Sequence, residues 1–142
     1  MASFTTKVSD LQANGPIVPI QLIVGAMDED TLRLDDRNLH APLSISAMID
    51  TGAKRTVIRA DLVNQLNLKP VGATLINTPS STNVYCHEYL ARVILPHDVI
   101  FESFVIAAPL QGQQIQCLIG RDVLRHGIFI YIGYDDSFTL SF

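Results

Sequence analysis

The sequence predicts an all-β domain, mostly antiparallel, with two short helices. Three observations point there. Short apolar, β-branched runs recur along the chain and are separated by clusters of Pro, Asn, Asp and Ser. Only two stretches, Arg59–Leu66 and Gly120–Gly127, have helical spacing. The 142 residues are 48% hydrophobic and 17% charged, which suits one folded domain and excludes a disordered tail. A chain of that length buries roughly 68–70% of its unfolded surface, so a core forms without disulfide staples.

The elements follow in order. Residues 1–15 read as a flexible N-terminal extension. Ile17–Val24 is β-prone, and Pro19 places it at an edge or a bulge. Residues 26–41 read as a surface insertion. Its acids, Asp28, Glu29, Asp30, Asp35 and Asp36, are irregularly spaced and lack the glycine and terminal glutamate of a calcium loop. In Leu43–Ile49, Leu43, Ile45, Ala47 and Ile49 share one face, while Ser44, Ser46 and Met48 share the other. Thr56-Val57-Ile58 is a short strand, and the helix over Arg59–Leu66 carries an apolar stripe of Leu62, Val63 and Leu66. Ala73–Asn77 and Val84–Leu95 form a hairpin across the polar tip Thr78-Pro79-Ser80-Ser81-Thr82-Asn83. A second hairpin turns at Pro96-His97-Asp98 into Val99–Ala107. Ile115–Ile119 is apolar, and the helical turns of Gly120–Gly127 close on a glycine. A last hairpin joins Ile128–Gly133 to Phe138–Phe142.

Composition narrows the function classes. A net charge of −4 with scattered Lys and Arg argues against nucleic acid as a partner. Cys86 and Cys117 are too few for a disulfide framework and have no metal spacing, so they read as buried thiols in a reducing compartment. No secretory signal is visible, and Ser103–Gly120, the longest uncharged stretch of the C-terminal half, is broken by Pro109 and glutamines. The expectation is a cytoplasmic protein with no membrane partner, no metal and no cofactor. His40, His87, His97 and His126 are dispersed, without a Ser or Cys partner at a useful spacing.

Chemistry concentrates in Ala47-Met48-Ile49-Asp50-Thr51-Gly52-Ala53. A carboxylate follows an apolar strand, Gly52 lets backbone N–H groups approach it, and Thr51 supplies a side-chain hydrogen bond. Asp-Thr-Gly is equally a turn signal, with Asp bonding its own backbone. A second feature shifts the weighting: Cys117-Leu118-Ile119-Gly120-Arg121-Asp122-Val123-Leu124, an apolar strand, a glycine and a helix opening with Arg-Asp. Together the two motifs resemble those of the retropepsin-like aspartic proteases, the single-lobed relatives of pepsin. The resemblance runs from Ile17 to Phe142 and takes in the first long strand, a flap at Ala73–Tyr89 and the final strand.

The resemblance implies a closed pepsin-like barrel with one lobe per chain, and an aspartic endopeptidase acting on extended protein or peptide segments. Such an enzyme needs two aspartates sharing one proton, because neighbouring like charges do not both ionise easily. The chain holds one Asp-Thr-Gly. The resemblance therefore implies a homodimer in which Asp50 meets its symmetry mate. Thr51, Gly52, Ala53, Arg121 and Asp122 are implied as support for the active-site loop. Gly52, Lys54, Arg55, Ile76, Asn77, Thr78 and Tyr85 are implied as substrate contacts. The sequence departs from the family in three places. Lys54-Arg55 stand where viral members often carry acids, which suggests a preference for acidic side chains in the substrate. The flap tip has no glycine, and residues 26–41 have no counterpart in the compact viral enzymes. A peptide-binding dimer without catalysis and a trimeric dUTPase-like barrel are the competing readings, although no glycine- and serine-rich nucleotide motif accompanies Asp50.

Overall fold

The computed structural model describes residues 2–25, 41–78, 80–110 and 114–142. Alternation builds its strands. In β2 (Ile17–Val24), Val18, Ile20, Leu22 and Val24 point inward and are buried. In β3 (Leu43–Ile49), Ile45, Ala47 and Ile49 do the same, while Ser44 and Ser46 face solvent. β4 (Val57–Arg59), β5 (Gly72–Thr78), β6 (Ser81–Leu95), β7 (Val99–Ala108) and β8 (Cys117–Ile119) complete the sheet.

Its order is β2-β3-β8-β4-β7-β6-β5, and β6 returns to pair with β2. Six strands thus close into a barrel, and β5 hangs outside the ring on β6 alone. The pairs β3–β8 and β4–β7 are parallel; the other pairs in the sheet are antiparallel. Closure gives every ring strand a partner on each side over at least part of its length. Inside it, Leu22, Val93, Val105, Ile58 and Ile119 form part of one apolar cluster. At Pro19, β2 pairs only with β3, because its bonds to β6 begin at Gln21. The proline therefore removes no ladder bond to β6.

β6 has two roles. Leu95 back to Glu88 pairs with β7 inside the ring, whereas Glu88 to Ser81 pairs with β5 as a projecting hairpin. At the other end of the long strand, His97 (φ 63°) and Asp98 (φ 58°) take left-handed conformations that turn the chain into β7.

The N-terminal residues correct the expectation of a flexible extension. β1 (Ser3–Lys7) pairs with β10 (Ser137–Ser141), which pairs with β9 (Ile128–Ile132), giving a three-stranded sheet of order β1-β10-β9. Phe4 is buried, and so is Leu11 on a four-residue helix, α1 (Leu11–Asn14), whose first turn is capped by the Asp10 side chain accepting from the Ala13 N–H. This adds a third helical turn to the two expected. The helix expected over Arg59–Leu66 is only α2 (Leu62–Gln65), because Arg59 ends β4 and donates its N–H to Gln116 O. α3 (Arg121–Leu124) lies where expected. Of the surface insertion expected over 26–41, residues 26–40 lie outside the described residues, as does His40. The other histidines sit against aromatic rings: His97 on Phe4, His87 on Tyr85 and His126 on Phe101. Among the described residues no helix is long and apolar enough to cross a membrane.

Candidate active site

β3 carries Asp50 at its C-terminal end. The Asp50 N–H donates to Ile119 O at 2.9 Å, which fixes the residue beside β8. The chain then turns tightly: Ala53 N–H donates to Asp50 O (3.2 Å), and Gly52 N–H donates to Asp50 Oδ1 (2.9 Å). A Cβ on Gly52 would lie 3.1 Å from that same oxygen. The glycine thus lets a backbone amide address the carboxylate at close range. Asp50 is half-buried, while Thr51 and Gly52 are exposed, so the turn presents its carboxylate at a surface.

A second loop crosses under the first. At Gly120 a Cβ would come within 2.4 Å of the Arg55 carbonyl carbon and 2.6 Å of its oxygen. The two backbones touch there, and only glycine fits. Arg121 N–H donates to Ala53 O (2.9 Å), and the Arg121 guanidinium donates to Thr51 O (3.1 Å). Thr56 is fully buried between the loops. Its hydroxyl donates to Asp122 Oδ1 (2.8 Å) and accepts from Gly120 N–H (3.2 Å), and its own N–H donates to Asp122 Oδ2 (3.0 Å). Ser103 Oγ and Val123 N–H also donate to the Asp122 carboxylate. Asp122 is therefore the knot that ties β4, β7 and α3 under the Asp50 turn, and Arg121 supports the turn from its carbonyl side.

The structure brings Thr51, Gly52, Ala53, Arg121 and Asp122 together around Asp50. It separates the residues expected to touch substrate. Lys54 is exposed. Arg55 turns to the hairpin, donating to Glu88 Oε1 (2.5 Å) and Phe104 O (2.7 Å). Ile76 lies opposite Val84 and packs with Val57, Cys86, Ile106 and Ala108 in a small apolar cluster beside β4. Tyr85 lies opposite Leu75 on the other face of the hairpin and is 65% exposed, so Ile76 and Tyr85 do not line one surface of this chain. Asn77 accepts from Asn83 N–H, and Thr78 donates to Ser81 O; both side chains close the hairpin tip. Thr56, Ser103, Gly120 and Glu88 were not singled out by sequence for these contacts. Thr56 reads only as a β-branched strand residue, and the crossing that demands Gly120 joins segments far apart in the chain.

Both cysteines are free and buried, and burial pushes each thiol up from its ordinary value, with Asp122 adding to the effect at Cys117. Among the described residues no group of three or more His, Cys, Asp or Glu could hold a metal. A groove of about 630 Å³ lined by Ser44, Ser46, Ile94, His97 and Gln116, among others, includes no residue of the Asp50 turn.

Comparison with known proteins bears on this geometry. A family model described as aspartyl protease matches residues 31–123. A comparison with curated protein sequences finds no match. Among solved structures, the chain is similar to EIAV protease complexed with the inhibitor HBY-793, with 18% identity and a TM-score of 0.50 over 78% of this chain and 86% of that one. It also matches a retropepsin-like aspartic protease from Rickettsia conorii at 15% identity and a TM-score of 0.46, covering 98% of this chain and 92% of that one. A foamy viral protease-reverse transcriptase matches at 15% identity and a TM-score of 0.48, with 82% of this chain aligned to 13% of that one. The first of these likenesses shows a shared fold.

Proposed function

The chain belongs to the aspartyl protease family, and from that premise we propose a homodimeric endopeptidase in which Asp50 and its symmetry mate cleave peptide bonds in extended segments. The observation that carries the reading is the Asp50 turn: a half-buried carboxylate held by the Gly52 amide and braced from below by Arg121 and Asp122. One such turn per chain supplies one carboxylate, and the chemistry needs two. The ionised member takes a proton from water, whose oxygen attacks the scissile carbonyl carbon. The protonated member gives its proton to the carbonyl oxygen. Collapse of the resulting diol breaks the C–N bond: the member now ionised takes a proton from one diol hydroxyl, and the member now protonated gives its proton to the leaving amine.

The second copy has a place to bind. β9 is, with β1, an edge of the three-stranded sheet, and it is the apolar one: Ile128, Ile130 and Tyr131 on it, and Tyr134 just after it, are 56%, 49%, 50% and 96% exposed. An apolar edge strand is a template for pairing with another strand. The hairpin of β5 and β6 acts as the flap, and its Ile76 side packs on the apolar cluster beside β4. The exposed Lys54 beside the turn favours an acidic residue near the scissile bond. Two buried, reduced thiols suit the cytoplasm.

The test compares wild type with Asp50→Asn on an unfolded protein at acidic and neutral pH. Wild type cleaves it, and the variant loses at least about 10³-fold in rate while keeping its fold. A statine-type peptide, which places a hydroxyl where the attacking water sits, inhibits wild type. Equal turnover by the two proteins removes the catalytic claim. Peptide binding without turnover by wild type makes the protein a recognition module on the same fold.

A further inference from the structure

The active-site loop and the root of the hairpin share one guanidinium. Arg55 lies between Ala53, whose carbonyl accepts from Arg121 N–H, and Thr56, which Asp122 holds, so its backbone is fixed on both sides. Its side chain leaves the loop, donates to Phe104 O on β7 at 2.7 Å and reaches Glu88 Oε1 on β6 at 2.5 Å. Glu88 occupies the point where the hairpin leaves the barrel. It is paired on one side with Gly72 of β5 and on the other with Ile106 of β7. From Glu88 toward the tip, β6 has only β5 beside it. The other carboxylate oxygen lies over Gly72, where a Cβ would be 3.0 Å from Glu88 Oε2, and Val71 N–H donates to Glu88 O. The two side chains are 27% and 22% exposed, so solvent and salt screen them less than a surface pair.

We propose that the Arg55–Glu88 pair is a latch that seats the flap over the cleft, making both side chains positioning residues for peptide binding. The inference rests on the protease reading above. A two-stranded hairpin has little stability of its own; here its Ile76, Val84 and Cys86 face packs on Val57, Ile106 and Ala108, and the Arg55–Glu88 pair adds a directional polar tie at its root. Arg55 ties that root to the same loop that carries Asp50. Peptide that binds under the flap then meets a surface already registered with the carboxylate.

The test uses the full chain with Glu88→Gln, Arg55→Gln and the double variant. One measurement is cleavage of fluorescently labelled unfolded casein; the other is amide hydrogen exchange followed by mass spectrometry. Loss of a partly buried pair is expected to speed exchange in residues 72–87 about fivefold, with residues 91–105 unchanged. KM for casein rises by about the same factor, kcat changes by less than about twofold, and the double variant is no worse than either single one. Unchanged exchange in the hairpin overturns the latch, and so does an increase spread equally over the barrel, which marks a merely structural pair. Faster hairpin exchange with an unmoved KM overturns the positioning role. If wild type itself cleaves nothing, the protease reading fails, and the exchange measurement alone decides whether the pair holds the hairpin.

Discussion

Gly120 shows how a single missing side chain decides the site. Its φ of −90° suits any residue, so space and not backbone conformation makes glycine necessary. The atoms a Cβ would strike belong to the Arg55 and Thr56 backbone, which has no rotamer to yield. Gly120→Ala is expected to cost about 3 kcal/mol in urea denaturation and to remove activity with it; a stability within about 0.5 kcal/mol of wild type would contradict the crossing. Thr56 gives a gentler probe. Thr56→Val leaves the buried Gly120 N–H without its acceptor and takes from Asp122 Oδ1 one of its two donors, the other being Val123 N–H, at a cost of about 1–3 kcal/mol, and Thr56→Ser restores most of it. The thiols give the pH dependence. Each folded thiol holds its proton more tightly than its unfolded counterpart. That contribution to stability is complete below the unfolded thiol's value and is lost as pH rises toward the folded one. Urea denaturation is therefore expected to show stability declining above about pH 9. Native protein at pH 8 leaves both cysteines unlabelled by iodoacetamide, and unfolded protein labels both.

At the scale of elements, the hairpins were legible because period-two alternation survives in each strand, and Ile17–Val24 and Leu43–Ile49 appear with the bounds their patterns imply. The ends of the chain were not. β1 buries Phe4 while Ser3, Thr5 and Lys7 stay exposed, and α1 is a four-residue turn, so neither carries a periodic signal. Both depend on partners more than a hundred residues away: Phe4 pairs with Leu140, and Leu11 N–H donates to Asp136 Oδ1 across 125 positions. The site divides in the same way. Asp50, Thr51, Gly52, Arg121 and Asp122 stand out as motifs, whereas Thr56, Ser103 and Glu88 take their roles only when distant segments cross. Deleting residues 2–9 tests the correction at the N-terminus. Loss of Phe4 from the core and of the ladder to β10 is expected to cost about 3 kcal/mol in thermal or urea unfolding. A dispensable extension would cost nothing.

For the molecule as a whole, the six ring strands of the barrel are paired on both sides, and the terminal sheet is open at β1 and at the apolar β9. Ile130→Asp places a charge on the β9 edge, where Ile130 is half-exposed in the single chain. In sedimentation the variant is expected to stay monomeric at concentrations where wild type is dimeric, with folded-state circular dichroism unchanged and cleavage lost. Dilution of wild type should lower its specific activity for the same reason. The most direct measurement mixes wild type with Asp50→Asn and lets subunits exchange before cleavage is assayed. If each cleft needs one carboxylate from each copy, activity per wild-type chain falls to about half at equal amounts and to about a tenth under a ninefold excess of the variant. Activity per wild-type chain that stays constant in every mixture would mean that one chain hydrolyses peptides alone.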